Sequence, residues 1–232
     1  MIPVFFLWIC YYINTIPYYA YKIDITSSLN EIIANINIFT IGSIYFPLLA
    51  MRVAEHASEI KNTHKYCLSL LVLASIAQAP FSIAFNTQTP NPCFTMGFAA
   101  MAISFAKKDI HKSKKIVIII TLCLLAHTID KMYGAYGIIL TVLFYFYNHK
   151  INSKIILYAL TIVLTIAHVA SFPSEQATLV IGEFGMMLVG IIIITNLNCS
   201  KKILLNKRLY YALYPITLLI MATITNYINK SG

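Results

Sequence analysis

Charge is scarce in this sequence. Only 11% of its 232 residues are charged, against roughly 25% in an average soluble domain. Acid is rarer still, with 8 Asp and Glu against 17 Lys and Arg. No water-soluble sphere of this size could hide side chains that are 59% hydrophobic, with a mean hydropathy of +0.76. With only 8 Gly and 8 Pro, long flexible linkers are excluded. Neither a repeat nor a composition break appears, so a single domain over residues 1–232 is expected. Cys10, Cys67, Cys93, Cys123 and Cys199 all lie in or beside apolar runs and form no CxxC pair, which argues against a disulfide framework and a zinc site. No GxGxxG, phosphate loop, HExxH or nucleophile elbow is present, and no metal is expected.

What is present is a succession of apolar runs. A helix crosses a bilayer core of about 30 Å with roughly 20 residues, because each backbone N–H and C=O must find its partner within the segment. On that ruler, spans fall at about 2–20, 32–52, 66–86, 93–106, 116–129, 132–148, 155–173, 177–198 and 209–228. The fold expected is all-α, a polytopic transmembrane bundle of about nine helices. Its fourth to sixth segments are short enough for one or two to be re-entrant. The opening Met1-Ile2-Pro3-Val4-Phe5-Phe6-Leu7-Trp8 lacks a basic n-region, and Tyr18-Tyr19-Ala20-Tyr21 is a poor cleavage site, so it reads as a retained first span.

The basic residues give this bundle an orientation. Arg52, Lys61 and Lys65 follow the second span, Lys107, Lys108, Lys112, Lys114 and Lys115 the fourth, Lys150 and Lys154 the sixth, and Lys201, Lys202, Lys207 and Arg208 the eighth. Only Lys22 and Lys131 fall in the alternate loops, with Lys230 in the tail. Short basic loops stay on the cytoplasmic side, so the amino terminus is expected inside and the carboxyl terminus outside. The net charge of +9 is thereby read as membrane topology, with the lipid bilayer as partner and no nucleic acid.

Polar groups within such spans are costly and therefore mark candidates for function. They are His127, His168 and Glu183, with Asp130 and Glu175 towards the outer ends and Glu55 at the inner end of the second span. His127 and Asp130, at i and i+3, share a helix face if the helix runs that far, and the carboxylate would then orient or charge the imidazole. The alternative is an interfacial pair that packs helices. Glu183 lies between Gly182 and Gly185, which fits close helix packing around a protonated carboxyl as well as a proton relay. Most of the 16 tyrosines lie near span ends, where aromatic belts account for them.

Several local patterns recur in a fixed order. Gly42-Ser43-Ile44-Tyr45-Phe46-Pro47-Leu48-Leu49-Ala50 is followed by Ala77-Gln78-Ala79-Pro80-Phe81, then by Asn91-Pro92-Cys93-Phe94-Thr95-Met96-Gly97. Tyr133-Gly134-Ala135-Tyr136-Gly137-Ile138 and Tyr210-Tyr211-Ala212-Leu213-Tyr214-Pro215-Ile216-Thr217-Leu218 complete the set. In this order the chain resembles the TraX family, membrane proteins of conjugative plasmids that include the F-pilin acetylase and are related to wider membrane acyltransferases. The resemblance implies transfer of an acetyl group from acetyl-CoA to the amino terminus of a pilin subunit, with Gln78, Asn91, Thr95, Tyr133 and Tyr214 lining a cavity. The basic loops at Lys107 to Lys115 and Lys201 to Arg208 would attract the phosphates of the donor.

The departures from the family are concentrated in charged groups. Tyr11 and Tyr12 stand where the family's first helix carries an Asp-His pair, Ser43 where an Arg is common, and Thr217 where a His precedes Leu. Met132 stands where an Asp often precedes the Tyr-Gly motif, although Asp130 lies two residues earlier. Acetyl transfer to an amine needs a proton acceptor and donors for the oxyanion. Tyr11 and Tyr12 could donate hydrogen bonds but, at a pKa of about 10, are poor bases, which leaves His127 with Asp130 as the candidate base. Two other readings stay open: a catalytically degenerate protein that binds pilin or conjugation components, and a small transporter.

Overall fold

A computed structural model describes residues 45–85, 88–130, 133–147 and 153–170, with helical pieces at 184–185, 187–193, 195–196, 214–220, 222–223 and 226–227. Among the described residues all regular structure is helical. Six helices follow one another: α1 (Tyr45–Glu59), α2 (Thr63–Phe85), α3 (Pro92–Lys107), α4 (Lys112–Ile129), α5 (Gly134–Phe146) and α6 (Lys154–Val169). Leu49–Ser82 and Gln88–Ala159 form one compact unit, and the described residues outside those ranges belong to a second. Within the first unit, α3, α4 and α5 pack on one another.

Five of these helices follow the expected spans to within a few residues. α1 does not stop at the expected 52 but runs on to Glu59, through residues read as the start of a loop. The reason is periodicity. Ala50, Val53, Ala54 and Ala57, all buried, continue a helical stripe past Arg52 while the charged positions between them face outward.

Small side chains make much of the contact between the first three helices, while many large apolar ones on the outside of the unit are exposed. The stripe on α1 is small, and Cys67, Ala74 and Ala77 of α2 are buried with Ala99, Ala100 and Ala102 of α3. Meanwhile Leu68, Val72 and Ile76 of α2, Val117 and Leu124 of α4, and Ile155 of α6 are exposed. Small residues let helix backbones approach closely where van der Waals contact, rather than expulsion of water, holds helices together.

Among the described residues, one helix segment, Thr63–Ala84, is by length and composition fit to cross a membrane. Gly134–Phe146 and Lys154–Val169 are apolar but shorter. At a rise of 1.5 Å per residue, α5 spans about 20 Å, short of a core of about 30 Å.

In the second unit, the His168 ring lies 4.7 Å from that of Phe184, and Phe184, Met187, Ile191 and Leu218 are buried.

Candidate functional site

At one end of the first unit, the carboxyl end of α2, the amino end of α3 and the α4–α5 junction are held by polar side chains. Asn91 begins α3. Its side chain accepts from the Cys93 N–H at 3.1 Å, and Pro92 follows where its missing N–H costs nothing. Asn91 Nδ2 donates to the Ala74 carbonyl at 2.8 Å and to Gln78 Oε1 at 3.1 Å, while the Asn91 N–H donates to the same oxygen at 2.9 Å. Gln78 Nε2 in turn donates to Ser82 Oγ and to the Thr89 carbonyl, each at 3.0 Å. A fully buried amide needs this many partners, because an unmet donor or acceptor there costs about 1–3 kcal/mol. Pro80, two residues past Gln78, removes the donor that would meet the Ile76 carbonyl inside α2.

One turn along α3, Thr95 Oγ donates to Asp130 Oδ2 at 3.3 Å. Asp130 is buried and ends α4 in an extended conformation, φ −130° and ψ 100°. Its Oδ1 accepts from the Tyr133 N–H at 3.1 Å, and its carbonyl accepts from the Gly134 N–H at 2.9 Å. The carboxyl thus lies at the amino end of α5, where orphan N–H groups and the helix dipole favour an acid. Among the described residues it is the one buried carboxyl.

Gly134 is required here by contact rather than by backbone freedom. A Cβ on it would lie 2.5 Å from the Ala126 carbonyl carbon and 2.9 Å from the His127 nitrogen, and closer still to the Ala126 oxygen. The last turn of α4 and the first of α5 therefore touch backbone to backbone.

The expected site residues divide accordingly. Gln78 and Asn91 are joined directly, as are Thr95, Asp130 and the Tyr133 backbone, and the buried Tyr133 ring begins α5. His127 is not brought to Asp130. Its imidazole is exposed and makes no hydrogen bond to that carboxyl, because α4 ends at Ile129 and Asp130 turns away from the helix face that i, i+3 spacing assumes. Tyr214 is buried in the second unit, where its carbonyl accepts from Thr217 Oγ at 2.9 Å. Tyr11, Tyr12, Ser43, Glu175 and Glu183 lie outside the described residues.

The opposite end of the first unit carries the basic residues, and two of them are occupied by helix ends. Lys107 Nζ donates to the carbonyls of Ala57 (3.0 Å), Ser58 (3.2 Å) and Ile60 (2.9 Å), and lies 3.1 Å from Thr63 Oγ. It neutralises the negative end of the α1 dipole. Lys115 caps the Ala106 carbonyl at 3.0 Å, and Lys108 lies over the Phe105 ring at 4.7 Å. Sequence reasoning missed this role of Lys107, whose partners lie 44 to 50 residues away. Asn91 as a helix start was visible in the Asn-Pro pair.

The family model described as TraX protein matches residues 8–225. No curated protein and no solved structure matches the chain. With the match spanning nearly the whole chain, and with Gln78, Asn91, Thr95 and Tyr133 of three ordered motifs meeting at one end of a compact unit, the chain belongs to the TraX family.

Proposed function

We propose that this chain is a multi-pass protein of the bacterial inner membrane that transfers an acetyl group from acetyl-CoA to the amino terminus of a pilin subunit in a conjugative transfer system. The observation that supports this reading is the family match over residues 8–225. The membrane setting is supported by the many large apolar side chains exposed on α2, α4 and α6 and by the Thr63–Ala84 helix. About nine crossings with a cytoplasmic amino terminus follow from the spacing of apolar runs and basic loops.

The anionic donor fits the basic end of the first unit. Lys107 and Lys115 are held by carbonyls, which leaves exposed Lys61, Lys65, Lys112 and Lys114 to meet its phosphates. The polar junction at the other end acts as a brace that fixes four helix ends. Its test is the amino-terminal mass of pilin from cells with and without this gene. An acetyl increment that appears only with the gene is expected, and an unchanged mass in both refutes the acetylase reading.

A second reading, a pilin-binding protein without catalysis, is favoured by one observation. Gln78, Asn91, Thr95 and Asp130 hydrogen-bond chiefly to one another and to helix ends. It predicts co-purification with pilin and no release of free CoA thiol from acetyl-CoA.

A further inference from the structure

Resting on the membrane setting alone and not on acetyl transfer, we propose that the basic end of the first unit binds an anionic phospholipid. Its phosphate is held at Lys65 and Lys114, and its acyl chains lie on the exposed apolar stripes that these two lysines head.

Both stripes follow helical spacing. On α2, Lys65, Leu68, Val72 and Ile76 fall at i, i+3, i+7 and i+11, and on α4, Lys114, Val117 and Leu124 fall at i, i+3 and i+10, so each set shares one helix face. The five apolar members are each more than half exposed, and both lysines are exposed. Lys65 to Ile76 is about 16 Å and Lys114 to Leu124 about 15 Å along the helix, half of a hydrocarbon core of about 30 Å. The chains of one leaflet match these stripes in length.

The two lysine-bearing turns are held at one place. Lys107 Nζ lies 3.1 Å from Oγ of Thr63, the first residue of α2, and Lys115 Nζ, from the first turn of α4, donates to the Ala106 carbonyl at 3.0 Å. Both starts are thus tied to the last turn of α3. Charge there is open to a ligand. Lys107 and Lys115 are held by carbonyls and Arg52 pairs with Glu55, whereas Lys65 and Lys114 form no ion pair among the described residues. Exposed Glu59 and Asp109 offset part of the charge, but both precede the helices that carry the stripes. A headgroup with chains meets lysine and apolar surface together. A second copy on the same stripes, its basic end alongside, would instead bring like charges together. A headgroup at Lys65 and Lys114 leaves Lys61 and Lys112 to a soluble donor.

The test is native mass spectrometry of the full chain released from micelles holding equal phosphatidylglycerol and phosphatidylcholine. Wild type should retain phosphatidylglycerol in preference. At roughly 5-fold per lysine near an anionic surface, K65Q/K114Q should lower that preference about 25-fold. K61Q/K108Q, an equal loss of charge at the same end, should keep the wild-type ratio, and excess inorganic phosphate should not displace the lipid. Equal loss in both double variants, displacement by phosphate, or a lipid-free dimer overturns the proposal. Retention of both lipids without preference overturns it while leaving the membrane setting intact, whereas a chain that is monodisperse without detergent and retains neither lipid takes both down. If K65Q/K114Q fails to fold, K65Q and K114Q singly carry the comparison, each with a loss of about 5-fold.

Discussion

Replacing Gly134 with alanine drives a methyl group into the backbone of α4. The new carbon would stand 2.5 Å from the Ala126 carbonyl carbon and 2.9 Å from the His127 nitrogen. Backbone atoms have no rotamer by which to yield, so the ends of α4 and α5 must part by roughly 1 Å to restore ordinary carbon contacts of about 3.5 Å. Parting strains the short connection through Asp130, whose carbonyl receives the Gly134 N–H at 2.9 Å and whose carboxyl receives the Tyr133 N–H at 3.1 Å. Overpacking costs about 1–3 kcal/mol, and weakening a buried bond to a carboxylate adds about 1.5–3 kcal/mol. Against this stands the helix preference of Ala over Gly, about 1 kcal/mol at most. A net loss of about 1.5–5 kcal/mol is expected. The control is Gly97→Ala, whose methyl meets the Leu71 side chain at 2.6 Å, where rotation of a leucine end can relieve it. Reversible unfolding of the full chain in mixed micelles measures both. Should G134A prove as stable as wild type, or more stable than G97A, the backbone contact at the α4–α5 junction is wrong.

N91A removes a cap and the side-chain donor to the Ala74 carbonyl, while Gln78 Oε1 keeps the backbone N–H of residue 91, a loss of about 2–3 kcal/mol in the same unfolding assay. N91D keeps the acceptor for the Cys93 N–H but turns an oxygen towards those two acceptors, so it should be at least as damaging as N91A. K107M should cost about 1–2 kcal/mol, moderated by water at this exposed end, and should speed amide exchange at the end of α1, while K107R retains part of the clamp. D130N keeps acceptors for the Tyr133 N–H and lets Thr95 reverse its hydroxyl, so its unfolding free energy should drop by less than about 1 kcal/mol. A larger drop would show that the carboxylate charge itself holds the junction.

Helices were legible wherever apolar composition alone defined them. α2, α3, α4 and α6 begin and end close to the expected spans because polar loops and the Asn91-Pro92 start punctuate them. The far end of α1 was hidden, since Arg52, Glu55, His56 and Glu59 depress the local hydropathy that marks a span. Its period-3.6 stripe of Ala50, Val53, Ala54 and Ala57 was on view but is made of small residues with weak hydropathy. The same contrast governs the site. Gln78, Asn91, Thr95 and Asp130 stood out as polar residues in apolar surroundings, but their pairing did not, because contacts across 13 and 35 residues have no local period. The His127–Asp130 pair failed for a local reason: the spacing rule presumes that the helix continues, and Asp130 leaves it.

The Lys107 clamp bears on how the protein is made. The last turn of α1 is completed by an ammonium group 50 residues later in the chain than the Ala57 carbonyl it binds. At about 5–20 residues per second of synthesis, that carbonyl waits roughly 3–10 s for its partner. During that interval α2 and most of α3 must have left the ribosome, and the end of α1 relies on water. The last turn of this first helix is therefore completed only after the third has been made, and its end stays open to fraying until Lys107 closes over it.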